Sequence, residues 1–227
     1  MPFEDLRDRV AEVRDRIDAA VRRGGHGQDV TIVAVTKTHG PDAVDAACDA
    51  GLRDVGENRV QEALAKKPNV QRNVRWHLIG HLQRNKVKQI DAFDLIHSID
   101  SERLAGAVDA HGRGRGRPVD VLVQTNVAGE ETKGGFTPDE ARRLAPALRA
   151  MDGLRVRGVM TMAPLDADEV TLRSCFRGAR ATREALAAAG CEATILSMGM
   201  SNDYEIAVEE GATHVRLGTI LFGARPA

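Results

Sequence analysis

Residues 30–37 read Val-Thr-Ile-Val-Ala-Val-Thr-Lys, and residues 41–51 read Pro-Asp-Ala-Val-Asp-Ala-Ala-Cys-Asp-Ala-Gly. The first stretch, Val30 to Val35, is rich in β-branched residues with no polar alternation, as in a strand buried on both faces. The second opens on proline, which suits the first turn of a helix, and closes on glycine. A strand that runs straight into a helix is the repeating unit of parallel α/β folds. The unit recurs along the chain. Further apolar runs begin near Arg53 (RDVG), Arg75 (RWHLIG), Asp94 (DLIHSI), Val119 (VDVLVQTN), Arg155 (RVRGVMTM), Thr194 (TILSMG) and His214 (HVRLGTILFG), which makes eight with the first. Segments of helical character follow the first seven, among them RVQEALAKK, SERLAGAVDAHG, PDEARRLAPALRAM, EVTLRSCFRGARATREALAAAG and NDYEIAVEEG. The second strand and the third helix are short.

Tight strand–helix alternation requires parallel strands joined by right-handed crossovers. Eight such units close a (β/α)8 barrel; a doubly wound open sheet is the alternative. Before the first strand, Phe3, Leu6, Val10, Val13, Ile17 and Val21 form a stripe with gaps of three and four, and Gly24-Gly25 ends it. The expected fold is therefore α/β, a single TIM barrel domain over residues 1–227 with an extra N-terminal helix. His111–Pro118, HGRGRGRP, is expected to be a loop. Its glycines precede a strand, whereas a dinucleotide fingerprint places them between a strand and a helix.

Composition narrows the function. The 227 residues are 42% hydrophobic and 29% charged, enough to bury a core and wet a surface. The net charge of −1 gives no basic excess for general polyanion binding, and 3% aromatics leave little for base stacking. Cys48, Cys175 and Cys191 are far apart and form no metal-ligand spacing, which fits reduced thiols in a cytoplasm. The charged N-terminus resembles neither a signal peptide nor a membrane anchor, and no apolar run approaches about 20 residues.

A barrel gathers its chemistry at the C-terminal ends of its strands. Lys37, Asn58, His77, Gly80, Ser98, Asn126, Met162 and Ser201 fall at or just past strand ends, and Gly218-Thr219 lie in the eighth strand. Lys37 ends an apolar run. Burial there would favour its neutral amine, which can attack an aldehyde; a lysine snorkelling to solvent is the bland alternative. Ser197–Glu205, SMGMSNDYE, ends a strand in glycine and opens a helix with Ser, Asn and Asp. Free N–H groups and the Ser201 hydroxyl would suit an anion there, or Ser201 and Asn202 simply cap the helix. Gly218 and Thr219 add a close backbone approach and a second hydroxyl, at the strands where barrels often hold phosphate. Arg216, inside an apolar strand, needs either a ligand acceptor or a neighbouring carboxylate. His77 and His81 lie four apart but lack the Glu of a zinc-binding helix. Lys133 sits in a glycine-rich turn. An amine facing a phosphate cradle describes a phosphorylated aldehyde, and pyridoxal phosphate and sugar phosphates both qualify.

These residues lie in segments that resemble the pyridoxal phosphate homeostasis protein family, whose fold type III barrels are similar to the N-terminal domain of alanine racemase. The segments are VAVTK ending at Lys37, GENRVQEA from Gly56, WHLIGHLQRNK from Trp76, HSIDS from His97 and NVAGEETKGGF from Asn126. GVMTMAP from Gly158, LSMGMSND from Leu196 and VRLGTILFGAR from Val215 complete the set. The resemblance implies pyridoxal 5'-phosphate as cofactor, held as a Schiff base on Lys37. Ser201, Gly218 and Thr219 then match phosphate-binding positions, Arg216 the arginine facing the pyridine nitrogen, and Asn58 a neighbour of the ring. His77 and Met200 match pocket-lining positions. Many relatives carry a second lysine where this chain has His39, so a second amine for handing the cofactor on is in question, with Lys133 as a substitute.

The implied role is intracellular cofactor homeostasis without an established reaction, with apo-enzymes that use the cofactor as recipients. Arginine offers only donors, so the ring nitrogen would stay unprotonated and stabilise a carbanion less well. The chain ends at Ala227, which leaves no room for the second domain of the racemases. Tyr204, the sole tyrosine, is expected beside the phosphate or facing solvent. A minimal amino-acid racemase and a Schiff-base aldolase remain the enzymatic alternatives. A small barrel with no obvious extra arm is compatible with a monomer.

Overall fold

Eight parallel strands pair in chain order, and the last returns to the first. The computed structural model describes residues 3–130 and 134–223. Its strands are β1 (Thr31–Val35), β2 (Asp54–Glu57), β3 (Arg75–Leu78), β4 (Leu95–Ile99), β5 (Val119–Thr125), β6 (Leu154–Thr161), β7 (Ile195–Ser197) and β8 (His214–Leu217). They form a closed barrel in the order β1 to β8. Closure is through β8 and β1, with Ile32 opposite Val215 and Val33 opposite Arg216. The open-sheet alternative is thereby excluded.

Helices fill the connections: α1 (Leu6–Gly24), α2 (Pro41–Asp49), α3 (Val60–Lys66), α4 (Glu102–Gly114), α5 (Pro138–Arg149), α6 (Glu169–Ala188), α7 (Tyr204–Glu209) and α8 (Thr219–Phe222). Their starts follow local capping chemistry. Ser101 caps α4, Asp168 caps α6, and Thr137 with Glu140 makes a capping box on α5. The extra N-terminal helix is present. Leu6, Val10, Val13, Ile17 and Ala20 bury its apolar stripe, and Arg16 and Arg23 tie it to Glu205 and Glu209 on α7.

Three local expectations are corrected. His111–Gly114 continues α4 instead of forming a loop. The apolar surroundings of the buried Val108 and Gly112 carry the helix past glycines that would otherwise weaken it. The third crossover is not an α-helix but a 3-10 segment, Arg84–Ala92. The eighth strand stops at Leu217, so Gly218 and Thr219 lie not in it but at the start of α8.

Strand alternation sorts side chains to the two sides of the wall. Ile32, Ala34, Val55, Trp76, Leu78, Ile96, Leu196, Val215 and Leu217 join the helices in one continuous apolar core. Their neighbours point inward. Leu95, Leu122 and Met160 form a small separate apolar cluster, with Met162 and Ile195 against it. Asp54, His77, His97, Ser197 and Arg216 share this interior and are also buried.

Candidate functional site

Lys37 follows β1 by two residues and is half-buried. Ile32 and Ala34 face the outer core, so the alternation carries Val33, Val35 and Lys37 toward the barrel mouth. The next residue, Thr38, has φ of 68°. A β-branched residue in the left-handed region is strained, and such strain persists only where surrounding contacts hold it. Here Thr38 donates its N–H to Glu62 Oε1 at 2.6 Å. Behind the turn, buried Lys66 donates to Thr36 O at 2.9 Å and to Glu57 Oε1 at 2.5 Å, and Thr36 Oγ1 donates to the same oxygen. Burial raises the Glu57 carboxyl above its ordinary range, against the pull of Lys66 and Thr36. This Glu57–Lys66 brace was missed in the sequence. Its one legible trace is a glutamate at the end of the short second strand, Asp54-Val-Gly-Glu57.

The residues expected to form an anion cradle follow β7 and its neighbour β8, the strand that pairs with β1. Ile220 N, in the first turn of α8, donates to Ser201 Oγ at 3.4 Å, which brings the loop after β7 onto the start of α8. Gly218 and Thr219 open that helix, where N–H groups have no intrahelical acceptor. Met200 N is already held by Asp203 Oδ1 at 2.5 Å. Gly199 (φ 94°) is needed because a Cβ there would lie 2.7 Å from Ala207 Cβ. Asn58 is half-buried on the turn after β2. A side chain at Gly80 would strike Asn58 O at 2.3 Å, so the β3 loop packs directly on that turn.

Arg216 is buried and, among the described residues, meets no carboxylate directly. Its Nη1 donates to Ser197 O at 2.9 Å and Ser197 Oγ at 2.8 Å, and Nη2 donates to Thr161 O at 2.9 Å. Burial pushes its pKa down to about 10, opposed by the charge of Asp203, and it stays cationic. Its Nε–H has no acceptor among the described residues.

His77 lies deeper than its place near a strand end suggests. Both ring nitrogens are engaged, Nε2 with Asp54 Oδ1 at 2.9 Å and Nδ1 with His97 Nε2 at 2.9 Å. His81 pairs instead with Asp100 at the rim, at 2.9 Å, so the two histidines do not share a site. His39 packs its ring 5.3 Å from Phe222 and 6.1 Å from Phe3. Burial, then the charge of Lys66, holds its pKa below the ordinary value. Tyr204 is 2% exposed, contrary to the solvent-facing alternative, and burial raises its pKa. Lys133 lies outside the described residues.

Taken together, an amine at the end of β1, a donor cradle at β7 and β8, and an arginine inside β8 define the barrel class represented by the N-terminal domain of alanine racemase. The family described as "Alanine racemase, N-terminal domain" matches residues 9–226. The chain is 39% identical over 222 residues to the pyridoxal phosphate homeostasis protein of Aquifex aeolicus, covering 96% of this chain and 97% of that one. It is 37% identical over 234 residues to the protein of the same name from Escherichia coli K12, covering 98% of each. PipY of Synechococcus elongatus, solved with PLP bound, is 36% identical with a TM-score of 0.85, covering 96% of this chain and 100% of that one. D-threonine aldolase from Filomicrobium marinum, at 17% identity and a TM-score of 0.80, covers all of this chain and 63% of its own. It shares the fold. This chain belongs to the pyridoxal phosphate homeostasis protein family.

Proposed function

We propose that the chain binds pyridoxal 5'-phosphate and serves intracellular cofactor homeostasis by holding and releasing it. The observation that carries this reading is adjacency. β8 pairs with β1, so the Lys37 turn, Arg216 and the Ser201–α8 cradle lie around one end of three neighbouring strands. The donor set fits the group: N–H groups and hydroxyls for a phosphate, a buried guanidinium for an aromatic nitrogen acceptor, and a primary amine for an aldehyde. An aldehyde that condenses reversibly with a primary amine is the chemistry this group supplies when bound. Lys37 supplies the nucleophilic nitrogen, and the Thr38 turn braced by Glu57 and Lys66 aims it. Ser201, Gly218 and Thr219 orient the phosphate, while Asn58, Met200 and, at greater depth, His77 shape the ring side.

Arg216 cannot accept a hydrogen bond, so it leaves a facing ring nitrogen unprotonated. That favours storage over carbanion chemistry, and delivery to apo-enzymes that use the cofactor is the natural outlet. The reduced-thiol reading of the cysteines supports a cytoplasmic location, and one barrel domain over residues 1–227 is read as a monomer. Protein saturated with pyridoxal phosphate should show a visible absorption band. Borohydride should fix a pyridoxyl mass on Lys37, and Lys37→Ala should lose both. A saturated wild type without the band overturns the reading. Exchange of an amino-acid α-proton into deuterated water would favour a racemase instead.

A further inference from the structure

A buried chain of hydrogen bonds runs down the lumen from Arg216. Ser197 Oγ accepts from Arg216 Nη1 at 2.8 Å and lies 3.1 Å from His97 Nδ1. His97 Nε2 lies 2.9 Å from His77 Nδ1, and His77 Nε2 lies 2.9 Å from Asp54 Oδ1. Asp54 sits at the N-terminal start of β2 and takes a second hydrogen bond from the largely exposed Arg75 at 2.6 Å. The chain thus spans the barrel from its base to the arginine of the mouth. His97 and Ser197 are fully buried, and His77 is 3% exposed.

The two ends dictate the direction. A guanidinium only donates and a carboxylate only accepts. Burial raises the Asp54 carboxyl, but hydrogen bonds from His77 and Arg75 outweigh it and keep the group below its ordinary range. With neutral imidazoles, Asp54 must receive the His77 Nε2 proton, so His77 Nδ1 accepts from His97 Nε2–H. His97 Nδ1 must then accept from the Ser197 hydroxyl, whose oxygen accepts from Arg216. With both imidazoles neutral, no link can be reversed while both ends keep their charge. His97 is held far below the ordinary imidazole range, first by burial and then by His77, Arg216 and His214. The His214 ring, 6.3 Å from His77, is the remaining imidazole facing this chain, and Asp203 is the acid acting on Arg216.

We propose that Ser197, His97, His77 and Asp54 are positioning residues that form a one-way relay, fixing the Arg216 guanidinium from the opposite end of the barrel. The relay commits Nη1 and leaves Nε–H for the ring nitrogen, and in that last respect it rests on the reading of a pyridoxal phosphate site. A packing role would place the same residues without requiring one tautomer or any influence of Asp54 on the mouth.

The ligand-free protein tests the direction by long-range proton–nitrogen NMR of the histidine rings. The relay requires the Nε2–H tautomer at both His77 and His97 in the folded, ligand-free protein. An Nδ1–H tautomer at His97, or a cationic His77, overturns the relay. The reach of the relay is tested by the Arg216 Nε–H resonance and by the pH midpoint of the visible band after loading with pyridoxal phosphate. Ser197→Ala should shift both and weaken retention about tenfold, the loss of one charged hydrogen bond. His97→Phe, which does not touch Arg216, should do the same. Asp54→Asn should act in the same direction, about twofold. Met160→Leu, a lumen residue outside the chain, should leave both readouts at wild type. If His97→Phe does not fold, Ser197→Ala and Asp54→Asn decide. Wild-type readouts in the folded variants overturn the relay. A wild type that fails to bind the cofactor overturns the proposed function, and the ligand-free resonances still judge the relay.

Discussion

The two sides of the barrel wall are built from the same eight strands and do opposite things. On the outer side, alternate residues join the helices in an apolar layer with few polar intrusions apart from the Glu57–Lys66 brace. On the inner side, Leu95, Leu122 and Met160 share a lumen with Asp54, His77, His97, Ser197 and Arg216. The outer layer draws its energy from non-directional burial, about 1.5–3 kcal/mol for each large apolar side chain. The inner side gives up some of that gain. Its polar groups cost stability unless each finds a partner, and in return they fix geometry. Substitutions outside should therefore register mainly in stability, and substitutions inside mainly in ligand geometry.

The most severe test of that contrast is Phe176→Ala, which empties a fully buried site in the outer layer. It should cost about 3–5 kcal/mol in denaturant unfolding while the folded fraction keeps its cofactor spectrum. A changed spectrum would break the distinction between the two sides. Acid should expose the lumen next. Burial lowers the pKa of His97 and of His214, the latter to about 4. Unfolded imidazoles titrate near about 6.5, so below that pH the unfolded chain binds protons that the folded chain refuses. Stability should thus fall by about 2 kcal/mol per imidazole between pH 7 and 5. Glu57, raised by burial, acts with the opposite sign at lower pH. His97→Phe should reduce the slope, and an unchanged slope would remove His97 from the account.

Ser201→Ala at the mouth should weaken pyridoxal phosphate retention by about 1–3 kcal/mol in equilibrium dialysis, with little change in unfolding. Thr38→Gly should raise stability by about 1 kcal/mol, because it relieves a left-handed threonine. It should also loosen the Lys37 turn, seen as slower development of the visible band. Smallest of all is Arg155→Ala, which removes a partly exposed pair with Asp120. Its effect on unfolding should stay below about 1 kcal/mol, with no effect on binding.

Much of the outer side was legible in the sequence. The stripe from Phe3 to Val21, the β-branched run at β1 and the helical spacing of α5 and α6 are local periodicities, and α1, β1, α5 and α6 form where those patterns lie. The end of β8 was not legible, because the apolar residues of HVRLGTILFG run on past Leu217 and their period does not separate strand from helix. The Gly218 turn is set by packing against β1 and the Ser201 loop. At the mouth, Lys37 and Arg216 stood out as charges in apolar strands. His97 and Ser197 did not, since a histidine or serine in a strand carries no mark of what it faces. Glu57 and Lys66, nine positions apart, meet only because β2 and α3 pack on each other.

The amino-acid order alone determined the strand–helix repeat, the amine at the end of the first strand and the donors near the last two, because hydropathy period and residue chemistry are local properties. Which inward side chains touch was decided only by closure. His97 and Ser197 are 100 residues apart and come within hydrogen-bond reach across the lumen. That contact depends on the register and tilt of eight paired strands, and no short stretch of chain encodes either.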